Sequence, residues 1–304
     1  MVFAGIGFKL LAVLAFSIMV TLVKFLGDNV PVGQMVFFRA VFGLIPLAIM
    51  IQVQHSWSSA LKTDRPLGHL GRALIGVSAM ALWFGALGRL PLPDATAISF
   101  AQPLMTTALA VVLLGEVVRL YRWSAILIGF AGVLIVLSPN LGFGADVGDE
   151  ARRLGALMAF ASACCMALAQ VFVRHLVQTE TTTSIVFYFS ALSGILSLAT
   201  MPFGWVVPDT LTLAFLISIG LLGGAGQLAL THAYRLAPAS VVAPFDYTAM
   251  IFAIVIGVWL FDEAPTPAVI AGSVLVVAAG LFVIYREHQI GIAREASKGA
   301  RTLS

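Results

Sequence analysis

Asp246 lies in the stretch SVVAPFDYTAM, residues 240–250, inside a run that otherwise reads as apolar, with Pro244 two residues before it and Tyr247 directly after. An ionised carboxylate facing lipid costs about 2.5 kcal/mol or more, so Asp246 is expected to face the protein interior. There it either binds an amine or a proton, with Tyr247 beside it, or pairs structurally with a neighbour. Gln102 and Gln227 sit in comparable apolar runs, where an amide either binds a solute or hydrogen-bonds between helices. Trp83 offers a ring that stacks on a ligand or packs against its neighbours. Arg39 and Lys24 stand near the ends of two further runs and are candidates for a gate or an ion pair, Arg39 being the deeper of the two.

These residue types bind; they do not assemble a reaction centre. Catalysis needs nucleophile, acid and base converging at one depth, and the five histidines, at 55, 69, 175, 232 and 288, fall mostly in loops or helix ends with no HExxH spacing. No metal site and no cofactor is expected. Cys164 and Cys165 are adjacent on one predicted helix, where a structural disulfide is geometrically implausible, and read as small core residues.

The elements that must position these groups are transmembrane helices. The 304 residues are 60% hydrophobic and 10% charged, against about 25% charged in a soluble domain. Ten apolar spans are expected at 7–26, 32–52, 69–88, 94–114, 120–138, 154–174, 182–202, 210–231, 238–260 and 266–285. The turns between them are marked by GDNVPVG, RLPLPD and DEAPTP. The short start MVFAGIGFK lacks the features of a cleaved leader, so span one is read as a true helix. With both termini on one side, that side collects 12 of the 17 Lys and Arg, Arg72 among them, and the positive-inside rule makes it cytoplasmic. The scattered cations do not form a nucleic-acid surface. The tail REHQIGIAREASKGARTLS is expected either to rest on anionic lipid or to stay disordered.

The chain also repeats itself. Arg89 to Glu116 is 27 residues and Arg235 to Glu263 is 28, and each pair brackets a proline-containing turn and a small-residue span. Gly132 and Gly280 follow the two glutamates at 16 and 17 residues. Five spans per half is an odd number, so the second copy enters the membrane upside down, the arrangement associated with alternating access around a midplane site. The halves are 1–138 and 154–285, joined by a loop at 139–153 and followed by the tail at 286–304. Pro103 and Pro244 cannot donate to the carbonyls of Ser99 and Ser240, so each of spans four and nine carries a helix break and a freed carbonyl, tolerated at membrane depth where it lines a cavity. Asp246 lies 8 residues into span nine and Gln102 8 into span four, each about 12 Å deep from opposite faces. Glu116 and Glu263 read as structural corners of the repeat.

The order of these features, with Gly115-Glu116 and Asp262-Glu263 at matching positions, resembles the drug/metabolite transporter superfamily and its EamA-like ten-helix exporters, over residues 7–285. The resemblance implies a bundle in which spans one, three, four, six, eight and nine surround a central cavity, with five and ten peripheral. It also implies a bacterial inner-membrane exporter of small amphiphilic metabolites, most similar to the amino-acid and aromatic amino-acid exporters, working as a monomer or weak homodimer. Related four-helix multidrug pumps use a glutamate in their first helix, which span one lacks. A nucleotide-sugar or sugar-phosphate carrier of the same superfamily is the alternative. It would present several cations at mid-membrane, and the placement of Arg and Lys above gathers none there. A membrane enzyme or a receptor is the remaining class, and neither calls for an inverted repeat.

Overall fold

The computed structural model describes residues 2–55, 57–114, 120–140 and 150–302. The described residues form helices and their connections, with no strand. In chain order the helices are α1 (Val2–Leu26), α2 (Val32–Val53), α3 (Trp57–Leu61), α4 (Pro66–Leu87), α5 (Leu92–Ser99), α6 (Ala101–Leu114), α7 (Leu120–Asn140), α8 (Glu150–Leu176), α9 (Thr182–Leu198), α10 (Thr210–Leu236), α11 (Ala239–Val242), α12 (Thr248–Phe261) and α13 (Pro267–Thr302). Among the described residues nine helical stretches are long and apolar enough to cross a bilayer, and α9, at 17 residues, supplies the tenth. It ends earlier than its apolar run because a short 3-10 turn over Met201–Phe203, built around Pro202, leads to Gly204 at φ 94°. The helix of span ten continues through Thr302, into the basic tail.

Two of the ten spans are interrupted, as the prolines predict. Span four divides into α5 and α6 at Phe100, and Pro103 falls in the first turn of α6, where the missing N–H is tolerated. Span nine is α11, a 3-10 stretch over Ala243–Tyr247 that contains Pro244, and then α12.

Side-chain size sorts inward and outward faces. Gly155, Ala156, Ala159, Ser162, Ala163 and Ala167 are buried on α8 at helical spacing, and this small-residue stripe lets α4 approach closely enough for Ser162 Oγ to donate to Ala79 O at 2.7 Å. Large apolar side chains instead cover the outside, as Leu11, Leu14, Ile18 and Phe25 do along α1. Gly220 and Gly224 of α10 pack on the α2 backbone around Phe38, Phe42 and Gly43, and Gly132 of α7 faces Gly272 of α13 backbone to backbone.

The helix contacts come in equivalent pairs. The packing of α1 on α10 is matched by α8 on α4, that of α2 on α10 by α9 on α4, and that of α1 on α12 by α8 on α6. The α2–α9 and α7–α13 contacts map onto themselves. This is the pattern produced when span n of the first half exchanges with span n of the second, as an inverted repeat requires.

Candidate functional site

The two interrupted spans meet. Phe100 and Tyr247, each 16 residues before the glutamate that closes its half, have ring centroids 5.2 Å apart in an edge-to-face contact. The Tyr247 hydroxyl in turn lies against Gly280, where any β-carbon would collide with it. Span ten therefore contacts the break of span nine through a glycine, which accounts for Gly280. Its counterpart Gly132 answers to a different contact, the close approach of Gly272.

Asp246 is paired. Its Oδ1 lies 2.7 Å from Lys9 Nζ of α1. Lys9 is 1% exposed and also donates to the Tyr234 hydroxyl at 3.3 Å, with its ammonium over the Tyr234 ring. The aspartate side chain stays 50% exposed, so the ion pair is anchored by a buried lysine and presents an open carboxylate face. Position alone grouped Lys9 with cations near the first membrane face, whereas its side chain turns into the bundle.

A second ion pair joins the same two spans at their other ends. Lys24 Nζ lies 2.8 Å from Glu263 Oε1 and donates to the carbonyls of Leu90 at 2.7 Å and Leu87 at 3.3 Å. Glu263 Oε2 accepts from the Leu92 amide at 2.8 Å, satisfying an orphan N–H at the start of α5. The segment that delivers Glu263 is set by Asp262 in the left-handed region at φ 53°, while the Glu263 amide returns to Gly257 O at 2.8 Å. Glu263 is thus a corner tying spans one, four and nine, and Lys24 belongs to that corner. Glu116 and Gly115 lie outside the described residues.

The remaining candidates divide. Ser99 Oγ donates to Thr96 O at 2.6 Å at the end of α5, and Gln102 is half-buried in the first turn of α6. Trp83 is half-buried against the central apolar cluster. Gln227 lines a cleft with Gln54, Thr182, Thr231, His232 and Arg235, away from the Phe100–Tyr247 contact in sequence and element. The glycines of α10 pack as expected, Gly226 against Phe16 and Gly223 against Met19 and Arg39.

Arg39 has a neighbour that sequence reading placed elsewhere. Its guanidinium carbon lies 5.8 Å from the Phe189 ring centroid, and that of Arg72 lies 4.2 Å from the same centroid. Arg72 was counted with the cytoplasmic loops because it stands only six residues into α4, and so no cation cluster was expected inside. An arginine side chain spans several ångströms, and here one from each end of the bundle reaches a common ring. Helix length and residue position are legible in a sequence; the direction in which a long side chain leans is not.

A knot of donors holds the turn between α8 and α9. Glu180 Oε1 accepts from Thr63 Oγ1 at 3.0 Å and from the amides of Asp64 at 2.9 Å and Arg65 at 3.0 Å, and Oε2 faces His69 Nε2 at 3.6 Å. Burial works to raise the Glu180 carboxyl, but the Asp64 amide and the Thr63 hydroxyl, with the His69 ring facing it, outweigh burial and hold the group below the usual glutamate range.

An all-helical bundle of ten spans, with its two broken helices meeting at an aromatic pair beside a half-exposed carboxylate, has the architecture of a multi-pass membrane protein. The chain belongs to the EamA-like transporter family, which matches it twice, over residues 3–138 and 153–286. It is 30% identical over 285 residues to an S-adenosylmethionine uptake transporter of Rickettsia prowazekii (strain Madrid E), covering 94% of each chain. It is 30% identical over 278 residues to a pseudopaline exporter of Pseudomonas aeruginosa, covering 91% of this chain and 94% of that one. A riboflavin transporter of Rhizobium johnstonii is 28% identical over 94% of this chain and 90% of its own. One crystal structure of a protein at 18% identity superimposes with a TM-score of 0.63 over 94% of this chain and 98% of its own, and shares the fold. These relatives are small-molecule transporters.

Proposed function

We propose that this chain moves a small amphiphilic metabolite carrying an amino-acid head across the bacterial cytoplasmic membrane, by alternating access around the meeting point of spans four and nine. The observation that carries the reading is the contact of the two broken spans at Phe100 and Tyr247 with the half-exposed Asp246 adjacent. Residues 1–138 and 154–285 act as the two inverted halves, joined through the extracytoplasmic connection at 139–153, with both termini and the 286–304 tail cytoplasmic. Asp246 and Tyr247 line the path on one half; Ser99, Gln102 and Trp83 line it on the other, and Gln227 faces solutes entering from the cleft. Arg39 reaches the path from span two. The unit is a monomer or weak homodimer in the lipid bilayer. Export of amino acids, aromatic ones included, is the direction and class expected from the sequence. Uptake is the second reading, favoured by the S-adenosylmethionine uptake relatives, whose named solute also carries an amino-acid head.

The test is flux of labelled phenylalanine, methionine and S-adenosylmethionine in proteoliposomes, with and without a pH gradient, for the parent and Asp246→Asn. We expect saturable flux of at least one probe, lost in Asp246→Asn. Flux that survives the substitution would reduce the Lys9–Asp246 pair to a helix staple.

A further inference from the structure

Two cations within the spans stand apart from the ion pairs described above. Arg72 Nε and Nη1 are buried with no hydrogen-bond partner, and among the described residues neither Arg39 nor Arg72 makes an ion pair. They converge on Phe189 of α9 and are no further apart than their two distances to that ring combined. Arg39 is the eighth residue of α2 and Arg72 the seventh of α4, so each lies about 10 Å inside its own end of the bundle. The two helices run in opposite senses, with Gly33 at the start of α2 packed on Thr200 beyond the end of α9 and Gly68 at the start of α4 packed on Leu176 before its beginning. The guanidinium groups therefore arrive at mid-depth from opposite membrane faces.

Glycine leaves them room. A β-carbon at Gly76 would collide with the Arg72 guanidinium and the Phe189 ring, and one at Gly223 would stand 3.2 Å from Arg39 Nε. Two like charges buried side by side are costly, and a buried cation is ordinarily paired. A guanidinium lying over a ring uses its face there and keeps its N–H edge free, in the fork geometry that matches a carboxylate.

We infer that Arg39 and Arg72, gathered at Phe189, form the subsite that takes the carboxylate of the transported molecule. This rests on the amino-acid-head reading above and restricts it to solutes that carry a free carboxylate. The carboxylate supplies the counter-charge that the protein withholds, and the position at mid-depth keeps the subsite in reach of both faces. The two arginines come from spans two and three and the ring from span seven, so the subsite belongs to helices of both halves.

The experiment is thermal unfolding of the full chain in nanodiscs with 3-phenylpropionate (carboxylate only), phenethylamine (amine only), phenylalanine and glucose 6-phosphate, for the parent, Arg72→Gln, Arg39→Gln and Arg72→Lys. Saturating phenylpropionate and phenylalanine should each raise the parent midpoint by about 3 °C or more, and phenethylamine should not. Both Gln variants should lose that rise, with their ligand-free midpoints equal to or above the parent's because an uncompensated charge has been removed. Arg72→Lys should keep part of it, since it preserves the charge and loses the fork. Carboxylate stabilisation that persists in both Gln variants, or a parent that responds to glucose 6-phosphate and to no carboxylate, overturns the inference. Carboxylate binding lost with the arginines alongside absent amino-acid flux would keep the subsite and defeat the amino-acid reading instead.

Discussion

Lys9 and Lys24 sit 15 residues apart on α1, and their partners Asp246 and Glu263 sit 17 apart on span nine. The two ion pairs link the same two spans, one rung toward each face. The rungs are not equivalent. The Lys24–Glu263 pair is largely covered, at 9% and 22% exposure, whereas Asp246 is open. Removing one charge from the covered rung strands the other, so Lys24→Met and Glu263→Gln should each lower stability by about 1–3 kcal/mol, between the values of exposed and buried pairs. The double variant should cost less than the sum of the two. Unfolding midpoints of the three variants in detergent measure this; strict additivity would show that the pair is incidental. The same counting places Ser99 opposite Asp246 in the other half, so the duplicated position keeps its polarity and only one copy keeps a charge. An unpaired-looking Asp246 was legible from sequence, but its partner was not, because Lys9 and Asp246 are 237 residues apart and only the fold brings them together.

At the scale of elements, the breaks in spans four and nine were readable from Pro103 and Pro244, and the small-residue face of α10 from its glycines. The exact site of the first break was not. Helix ends at Phe100 because the chain there turns through a 3-10 bond from the Phe100 amide to Ala97 O at 3.3 Å, and the proline three residues later merely starts the next helix. The glycine contacts carry a direct consequence. A β-carbon at Gly224 would stand 2.5 Å from Gly43 O and 3.0 Å from Gly43 Cα, and a helix backbone cannot yield as a side chain does. Gly224→Ala should therefore force α2 and α10 apart and destabilise the protein by about 1–3 kcal/mol, seen as a lower unfolding midpoint. Gly7→Ala, at a position with open space around it, serves as the control and should leave the midpoint unchanged or slightly raised. Equal midpoints for Gly224→Ala and the parent would mean that the two helices are not packed as described.

For the whole molecule, composition and apolar run length made the ten-span architecture legible, since water offers no way to bury so much apolar surface and the bilayer does. The duplication was legible from the Arg89–Glu116 and Arg235–Glu263 spacings, and the equivalent helix contacts follow the same order. Convergence across helices was what sequence could not carry. Arg39 and Arg72 looked like members of two different ends, and Phe189 looked like one more apolar residue of span seven. Relatives of nearly equal similarity carry names as different as S-adenosylmethionine uptake and pseudopaline export, so overall similarity does not select a solute. In the proposed mechanism, the two similar halves of this chain exchange one arrangement for its mirror. A carrier working by alternating access, unlike a pore, returns its site loaded with whichever solute it meets, so an outward gradient of unlabelled solute drives labelled solute inward. Counterflow measures that directly: proteoliposomes are loaded with unlabelled phenylalanine or S-adenosylmethionine and diluted into a trace of the labelled form. Alternating access gives a transient overshoot of internal label above its equilibrium level, followed by decay. Label that rises to equilibrium without an overshoot, at the rate of protein-free vesicles and for both solutes, would contradict it.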